Sequence, residues 1–205
     1  MNAVFIRPPR VAGASIVAAL GAREYQTMER VENGFVQSGV LSFGHIDYEM
    51  LVVGGYVSQE FDSTALKFTF VRNPYDRAVS WFFFAQARHW IPESVTFVEF
   101  CRRAFADNME PIGLYNGVGR SKYNPQIRWV EKVPLDFIGR YERLQVDLAR
   151  VANMLDVRPT ELPITHWTDH DHYATYYCEE SADLVHRAYR EDFNQLGYPT
   201  TFGGV

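Results

Sequence analysis

Arg72 and Ser80 are the two residues of this sequence whose types and spacing point most clearly to chemistry. Arginine binds phosphate through a planar fork of N–H donors, and serine adds a hydroxyl donor. Ser80 follows Arg72 by about two turns of a predicted helix, so both side chains can face one anion. Arg77 offers a second guanidinium, although a solvated or ion-paired arginine explains it better. Arg72 and Ser80 therefore predict a phosphate pocket.

A second candidate phosphate site is the segment Pro9-Arg-Val-Ala-Gly-Ala-Ser15, which joins a predicted strand to a predicted helix. Such a loop turns backbone N–H groups toward an anion, and the start of the helix adds partial positive charge. Ser15 can add a hydroxyl donor and Arg10 a fixed positive charge. The segment is not a Walker motif, because Gly-x-x-x-x-Gly-Lys-Ser/Thr is absent. A tight turn between a strand and a helix explains it equally well.

Both candidate sites follow runs of residues that predict buried strands. Ala3–Ile6 is a short, continuous apolar run, and Leu66–Val71 is rich in aromatic and β-branched residues. Asn73 is a good N-cap, and Pro74 fits the first turn of the helix that follows. Arg72 is therefore expected at the carboxyl end of a strand, where open α/β sheets bind ligands.

The order of the predicted elements indicates the fold class. Strands alternate with helices along the chain, which favours an α/β fold with a central, mainly parallel sheet flanked by helices on both faces. Without internal repeats or linkers, residues 1–205 are predicted to form a single domain. The further predicted strands are residues 34–36, 39–41 and 136–139, and the predicted helices are residues 16–20, 48–53, 74–89, 97–105, 144–155 and 181–193.

Charge and composition exclude several classes of protein. The formal net charge of −5 argues against nucleic-acid binding, which needs a basic surface. No signal peptide or membrane anchor is predicted, since Arg7 ends the first apolar run early, and a cytoplasmic location is expected. Cys101 and Cys178 lack a metal-binding spacing, and each is predicted to be a buried free thiol. The oligomeric state has no signal in the sequence.

Several segments resemble the carbohydrate-type (Golgi-like) sulfotransferases. Phe5-Ile-Arg-Pro-Pro-Arg-Val-Ala-Gly-Ala-Ser-Ile16 is similar to that family's 5′-phosphosulfate loop, which typically reads Phe-Ile-His-Ile-Pro-Lys-Thr-Gly-Gly-Thr-Ser. Phe68-Thr-Phe-Val-Arg-Asn-Pro-Tyr-Asp-Arg-Ala-Val-Ser80 is close to its 3′-phosphate motif, and residues 138–142 and 173–198 resemble later family segments. The resemblance implies a P-loop-like fold and metal-independent, in-line transfer of sulfonate from 3′-phosphoadenosine 5′-phosphosulfate (PAPS). The product nucleotide would be 3′-phosphoadenosine 5′-phosphate (PAP).

The resemblance also implies roles for individual residues. Arg72 and Ser80 would hold the 3′-phosphate, the group that distinguishes PAPS from ordinary nucleotides. Arg10 stands where the family has the lysine that steadies the bridging oxygen as it leaves, and an arginine keeps the charge but not the compact shape of that lysine. The 5′-phosphate would be held by the Ser15 hydroxyl and by the backbone N–H groups of Val11, Ala12, Gly13, Ala14 and Ser15.

His45 is the candidate general base. Sulfonate transfer needs the acceptor proton removed, and histidine is the usual residue for that task near neutral pH. Gly44-His-Ile-Asp-Tyr48 resembles the family segment whose histidine does this in several members, and we favour this role over a structural one. His166, His170 and His172 could suggest a metal site. Without carboxylates or cysteines at convincing spacing, no metal is predicted.

The acceptor is expected to be a hydroxyl on a saccharide or another small metabolite, by family analogy alone. Asn124-Pro-Gln126 is similar to a Pro-Gln pair near the acceptor pocket of glycan sulfotransferases, and a turn explains it almost as well. Two alternative functions stay open. One is a P-loop-like kinase of a small metabolite, which would need magnesium, and the other is a nucleotide-binding homologue that has lost catalysis.

Overall fold

The computed structural model describes residues 1–105, 114–115, 120–121, 123–162 and 170–201. Within these ranges, no helix has both the length and the apolar character needed to cross a bilayer. Residue contacts divide the chain into two compact units, so the single domain stays a prediction. Of the described chain, the first unit contains residues 1–71, 115 and 128–162, and the second contains residues 72–105, 114, 120–121, 123–127 and 170–201.

A parallel sheet lies in the first unit. The strands of the described chain are β1 (Ala3–Ile6), β2 (Arg23–Glu24), β3 (Val40–Ser42), β4 (Leu66–Val71), β5 (Leu114–Tyr115), β6 (Arg120–Ser121) and β7 (Phe137–Arg140). Five of them form this sheet in the order β2-β3-β1-β4-β7. All four pairings in it are parallel, which confirms the predicted α/β class.

The core of the first unit lies on one face of the sheet. Phe5 of β1 pairs in register with Phe68 of β4, and their rings stack with centroids 5.1 Å apart. Helices α1 (Gly13–Leu20) and α7 (Leu144–Leu155) contribute the apolar side chains that pack against these rings. Val4, which faces the opposite side of the sheet, is fully buried as well. Burial on both faces explains why β1 is a continuous apolar run, and both β1 and β4 have the predicted bounds.

Local capping signals set the helix boundaries of the first unit. Gly21, with a φ of 59°, ends α1. The Asp47 side chain accepts a hydrogen bond from Glu49 N at 3.1 Å and caps α3, which has the bounds predicted for residues 48–53. The helices between α1 and the end of β4 are α2 (Met28–Glu32), α3 (Tyr48–Val53) and α4 (Gln59–Thr64), and the 3₁₀ helix Tyr141–Arg143 precedes α7.

The strand predicted for residues 34–36 is absent from the structure. Those residues are irregular, and the Phe35 ring packs against the rings of Tyr25 and Phe43, at 5.0 and 5.2 Å. Aromatic residues favour strands, but here the Phe35 ring packs in a cluster of side chains and the backbone does not join the sheet.

Helices make up most of the second unit. Helix α5 (Pro74–Ala87) begins as predicted, because the Asn73 side chain accepts a hydrogen bond from Tyr75 N at 2.9 Å. The other elements after α5 are α6 (Phe97–Phe105), α8 (Glu179–Ala188), α9 (Arg190–Leu196) and the 3₁₀ helices Gln126–Trp129 and Tyr173–Tyr176. The predictions for residues 97–105 and for the start of α5 are thus confirmed.

The single final helix predicted over residues 181–193 is wrong, because α8 and α9 are separate helices that meet at Tyr189. This residue is completely buried and has a φ of −110°, outside the helical range. Its ring packs against the ring of Phe105 at 5.2 Å and lies under the Arg77 guanidinium at 5.0 Å. Packing of this one side chain interrupts a periodicity that the sequence continues without a break.

Candidate functional site

The loop after β1 has the backbone geometry of an anion-binding turn. Arg10 and Ala12 adopt left-handed φ angles of 69° and 62°, which turn the chain sharply into α1. The first bond of that helix runs from Ile16 N to Ala12 O at 3.1 Å, so the N–H groups of Gly13 and Ala14 have no acceptor within the helix. N–H groups in this position, together with the helix dipole, favour an anion.

The two remaining residues of the predicted loop contribute differently. The Val11 side chain is fully buried in the core, so only its backbone N–H can serve a ligand. Ser15 lies in the first turn of α1 and is 6% exposed. Its hydroxyl is therefore at the same helix start as the backbone donors.

Ala12 carries a backbone strain that glycine would relieve. A left-handed φ costs an L-residue about 1–2 kcal/mol, while glycine costs about 0.5–1 kcal/mol through unfolded-state entropy. Ala12→Gly is therefore expected to raise the free energy of unfolding by up to about 1 kcal/mol, measured by denaturant titration. The matched control is Ala18→Gly at an exposed position inside α1, which should lower it by about 0.5–1 kcal/mol. A loss of stability in Ala12→Gly would contradict the strain.

Arg7 lies against the start of α1, which sequence reasoning did not establish. A Cβ added to Gly13 would fall 2.1 Å from Arg7 Cδ, so the arginine stem covers this glycine and requires it. Arg7 is 8% exposed, and its guanidinium forms an ion pair with Glu24. Glu24 in turn accepts a hydrogen bond from the Gln26 side chain at 2.7 Å. The first unit thus places a second, buried cation at the candidate loop.

His45 is held by contacts on its ring and on its backbone. Its Nδ1 lies 2.8 Å from the carbonyl oxygen of Arg7. A carbonyl only accepts hydrogen bonds, so Nδ1 carries the proton and the Nε2 lone pair is the basic site of the neutral ring. Trp129 Nε1 donates to the His45 carbonyl at 3.3 Å, and Asp47 caps the helix that follows. This arrangement suits a general base that must keep one tautomer.

In the second unit, Arg72 directly follows the end of β4 and is 6% exposed. Its guanidinium forms a bidentate ion pair with Asp76, with Nε to Oδ2 at 2.7 Å and Nη2 to Oδ1 at 2.9 Å. Sequence reasoning missed this partner, although the i,i+4 spacing signals such a pair. The carboxylate fixes the plane of the guanidinium fork.

Ser80 and Arg77 both lie on α5, with different consequences. Ser80 is 1% exposed in the second turn of that helix. Arg77 is completely buried, and its Nη1 donates to the Asn124 carbonyl at 3.0 Å. Its contacts with Asn124 and the Tyr189 ring make Arg77 a paired, structural arginine. Arg77 is therefore not the solvated arginine that was one alternative from the sequence.

The histidines considered for a metal have other contacts. The His170 ring stacks on Phe83 at 5.0 Å, and the His172 side chain caps the 3₁₀ helix Tyr173–Tyr176. His166 lies outside the described residues. Among the residues that the structure describes, no group of three or more histidine, cysteine or acidic side chains could hold a metal ion.

The two cysteines differ in environment. Cys101 is buried, as predicted, and its burial raises the pKa of the thiol. Cys178 is exposed, so the prediction of a buried thiol is wrong there. Cys178 is the N-cap residue of α8, and hydrogen bonds with Ser181 lower the pKa of its thiol.

A comparison with protein families identifies one family for this chain. A sequence profile of the Sulfotransferase family matches residues 45–199, a span that begins at His45 and includes Arg72 and Ser80. No curated protein sequence matches the chain. The crystal structure of mouse sulfotransferase SULT7A1 complexed with PAP is 13% identical, with a TM-score of 0.60 over 94% of this chain and 85% of that chain. A sulfotransferase from Alicyclobacillus acidocaldarius is 14% identical, with a TM-score of 0.46 over 97% of both chains.

Proposed function

Because the chain belongs to the sulfotransferase family, we propose that it moves a sulfonate group from PAPS to an acceptor hydroxyl. Membership rests on the profile match over residues 45–199 and confirms the resemblance found in the sequence. The chain is therefore a sulfotransferase. The observation that carries the choice of cofactor is Arg72, which is buried at the end of β4 with its fork fixed by Asp76. PAP in the mouse enzyme of the same fold supports that choice.

The donor groups of the two candidate sites are of the kinds that bind the two phosphate groups of PAP. In the first unit we assign the 5′-phosphate to the N–H groups of residues 11–15, the Ser15 hydroxyl and the charge of Arg10. In the second unit we assign the 3′-phosphate to Arg72 and Ser80. Guanidinium, hydroxyl and backbone N–H groups are the donors that phosphate oxygens accept best.

Asp76 supports this assignment by fixing the orientation of the Arg72 guanidinium. An unpaired arginine side chain loses rotamer freedom when it binds an anion, which lowers affinity. The bidentate pair with Asp76 holds the Arg72 head in one orientation before any ligand arrives. The pair with Asp76 engages the Nε and Nη2 atoms of the guanidinium, at 2.7 and 2.9 Å. We infer that Asp76 pre-organises Arg72 for the 3′-phosphate.

The chemical roles follow from charge and proton movement. When bound, PAPS would supply the sulfonate, and the oxygen that joins phosphorus to sulfur would leave with PAP as the acceptor oxygen bonds to sulfur. Arg10 supplies positive charge where the family has a lysine, and positive charge stabilises a negative charge that grows on an oxygen. His45 takes the acceptor proton on Nε2, and the Arg7 carbonyl stabilises the imidazolium through Nδ1–H. The acceptor class we propose is a saccharide or small-metabolite hydroxyl.

Ligand-dependent thermal stability tests the choice of cofactor. PAP is expected to stabilise the protein without magnesium, and more than ADP or ATP does, because only PAP offers a 3′-phosphate to Arg72. At a ligand concentration about 100 times the dissociation constant, the gain is about 2.7 kcal/mol. The measurement is a thermal-shift series with PAP, ADP and ATP, each with and without magnesium.

The ligand AMP is the matched control for that series, since it differs from PAP only by the missing 3′-phosphate. Equal thermal shifts with PAP and AMP would contradict the assignment of the 3′-phosphate to Arg72. A strict magnesium requirement, with ATP as the strongest ligand, would favour the alternative function as a metabolite kinase.

A further inference from the structure

Gln126 is a buried residue that the proposed function leaves without a part. It is completely buried at the start of the 3₁₀ helix Gln126–Trp129. Its side-chain Oε1 accepts a hydrogen bond from Arg72 N at 2.8 Å, and its Nε2 donates to Arg72 O, also at 2.8 Å. The amide therefore binds both backbone polar groups of one residue, as a neighbouring strand would.

Asp192 of α9 fixes the Gln126 amide through hydrogen bonds. Its Oδ2 accepts from Gln126 N at 2.8 Å and from Gln126 Nε2 at 3.2 Å, and its Oδ1 accepts from Ile127 N at 2.9 Å. A carboxylate and a carbonyl both accept, so the Gln126 Nε2 atom must face them and the amide has a single orientation. Burial raises the pKa of Asp192, while the Arg77 guanidinium and the N–H donors act in the opposite direction.

Arg72 is the residue that needs this support. The last ladder partner of β4 is at Val71, so Arg72 lies just past the end of the sheet. Its head is fixed by Asp76 and its backbone by Gln126. If the backbone of Arg72 moved, its guanidinium would lose the geometry that bidentate phosphate binding requires.

We propose that Gln126, held by Asp192, is a positioning residue for Arg72 and thereby sets the preference of the protein for a 3′-phosphorylated nucleotide. The inference rests on the proposed assignment of Arg72 to the 3′-phosphate. It gives the Pro-Gln pair a role on the cofactor side, whereas sequence similarity linked that pair to the acceptor pocket.

The test is the ratio of the AMP and PAP dissociation constants, measured by calorimetry on the full chain. Gln126→Met keeps the side-chain volume and removes both hydrogen bonds to Arg72. PAP affinity should fall about 10-fold, the scale for two neutral hydrogen bonds, while AMP affinity stays within about twofold. Arg72→Ala should lower PAP affinity by about 10–100-fold. In that background, adding Gln126→Met should cause no further loss, because a positioning residue acts only through Arg72.

Gln86→Met is the matched control. Gln86 is a glutamine of α5 whose side chain donates to the carbonyls of Glu93 and Val95, away from Arg72. It should leave the PAP-to-AMP ratio unchanged. If Gln126→Met does not fold, Asp192→Asn tests the same network, and about a threefold loss confined to PAP is expected.

Three results would overturn the inference. One is a Gln126→Met protein that keeps the wild-type ratio, and another is an equal loss for PAP and AMP, which would mark a purely structural role. The third is a wild-type protein with no preference for PAP over AMP, which would remove the proposed cofactor assignment and this inference together. The wild-type ratio thus separates failure of the function from failure of the positioning role.

Discussion

His45→Ala is expected to lower the turnover number by about 10²–10⁴, the range for loss of a general base, while PAP affinity stays nearly unchanged. The structure supports this separation because the His45 ring is held through Nδ1 by the Arg7 carbonyl, which leaves Nε2 as the basic atom. Steady-state rates with a sulfonate acceptor and calorimetry with PAP are the two measurements.

Replacement of a second histidine, His89, controls for effects of a histidine substitution that do not depend on catalysis. His89 is exposed and has a left-handed φ of 55°, a conformation that asparagine tolerates. His89→Asn should therefore keep the wild-type turnover. A folded His45→Ala protein with full turnover would show that another group removes the acceptor proton.

Arg10→Ala is expected to lower the turnover number by about 10²–10³, the scale for losing one donor to a developing negative charge. PAP affinity should fall much less, because that charge grows only as the bridging oxygen leaves. Arg10→Lys should retain activity, since it restores the compact ammonium that the family uses at this position. Rates of sulfonate transfer, with PAP binding measured on the same preparations, test all three statements.

Arg30→Ala is the control for that series, since Arg30 is an exposed arginine of α2 in the same unit. Full turnover in Arg10→Ala would give the role to a different cation, and Arg7 is the one whose stem covers Gly13. If the wild type binds PAP but transfers no sulfonate, while Arg10→Lys does, the chain is a degenerate member of the family.

The sequence predicted the features that depend on neighbours along the chain. The strand Leu66–Val71 and the cap at Asn73 were visible because β-propensity and capping act over a few residues. The parallel arrangement followed from the alternation of strands and helices. For the same reason, the residues of both candidate phosphate sites could be named from their motifs.

Features that depend on distant parts of the chain were not predictable. Gln126 binds the backbone of Arg72, and Asp192 in turn binds Gln126, although these residues are far apart in the sequence. The break at Tyr189 reflects packing against Phe105, which no local pattern records. Cys178 is exposed because it caps a helix, a position that the usual burial of cysteine does not anticipate.

The order of the strands has a consequence for synthesis on the ribosome. Strands β1, β3 and β4 are complete once Val71 has been made, but the far edge of β4 pairs with β7, where Phe68 meets Phe137. At about 5–20 residues per second, that partner arrives on the order of 3–14 s later. During this interval the nascent chain presents the unpaired edge of β4, the kind of surface that recruits other chains. Pairing with β7 covers that edge once residue 140 has been made.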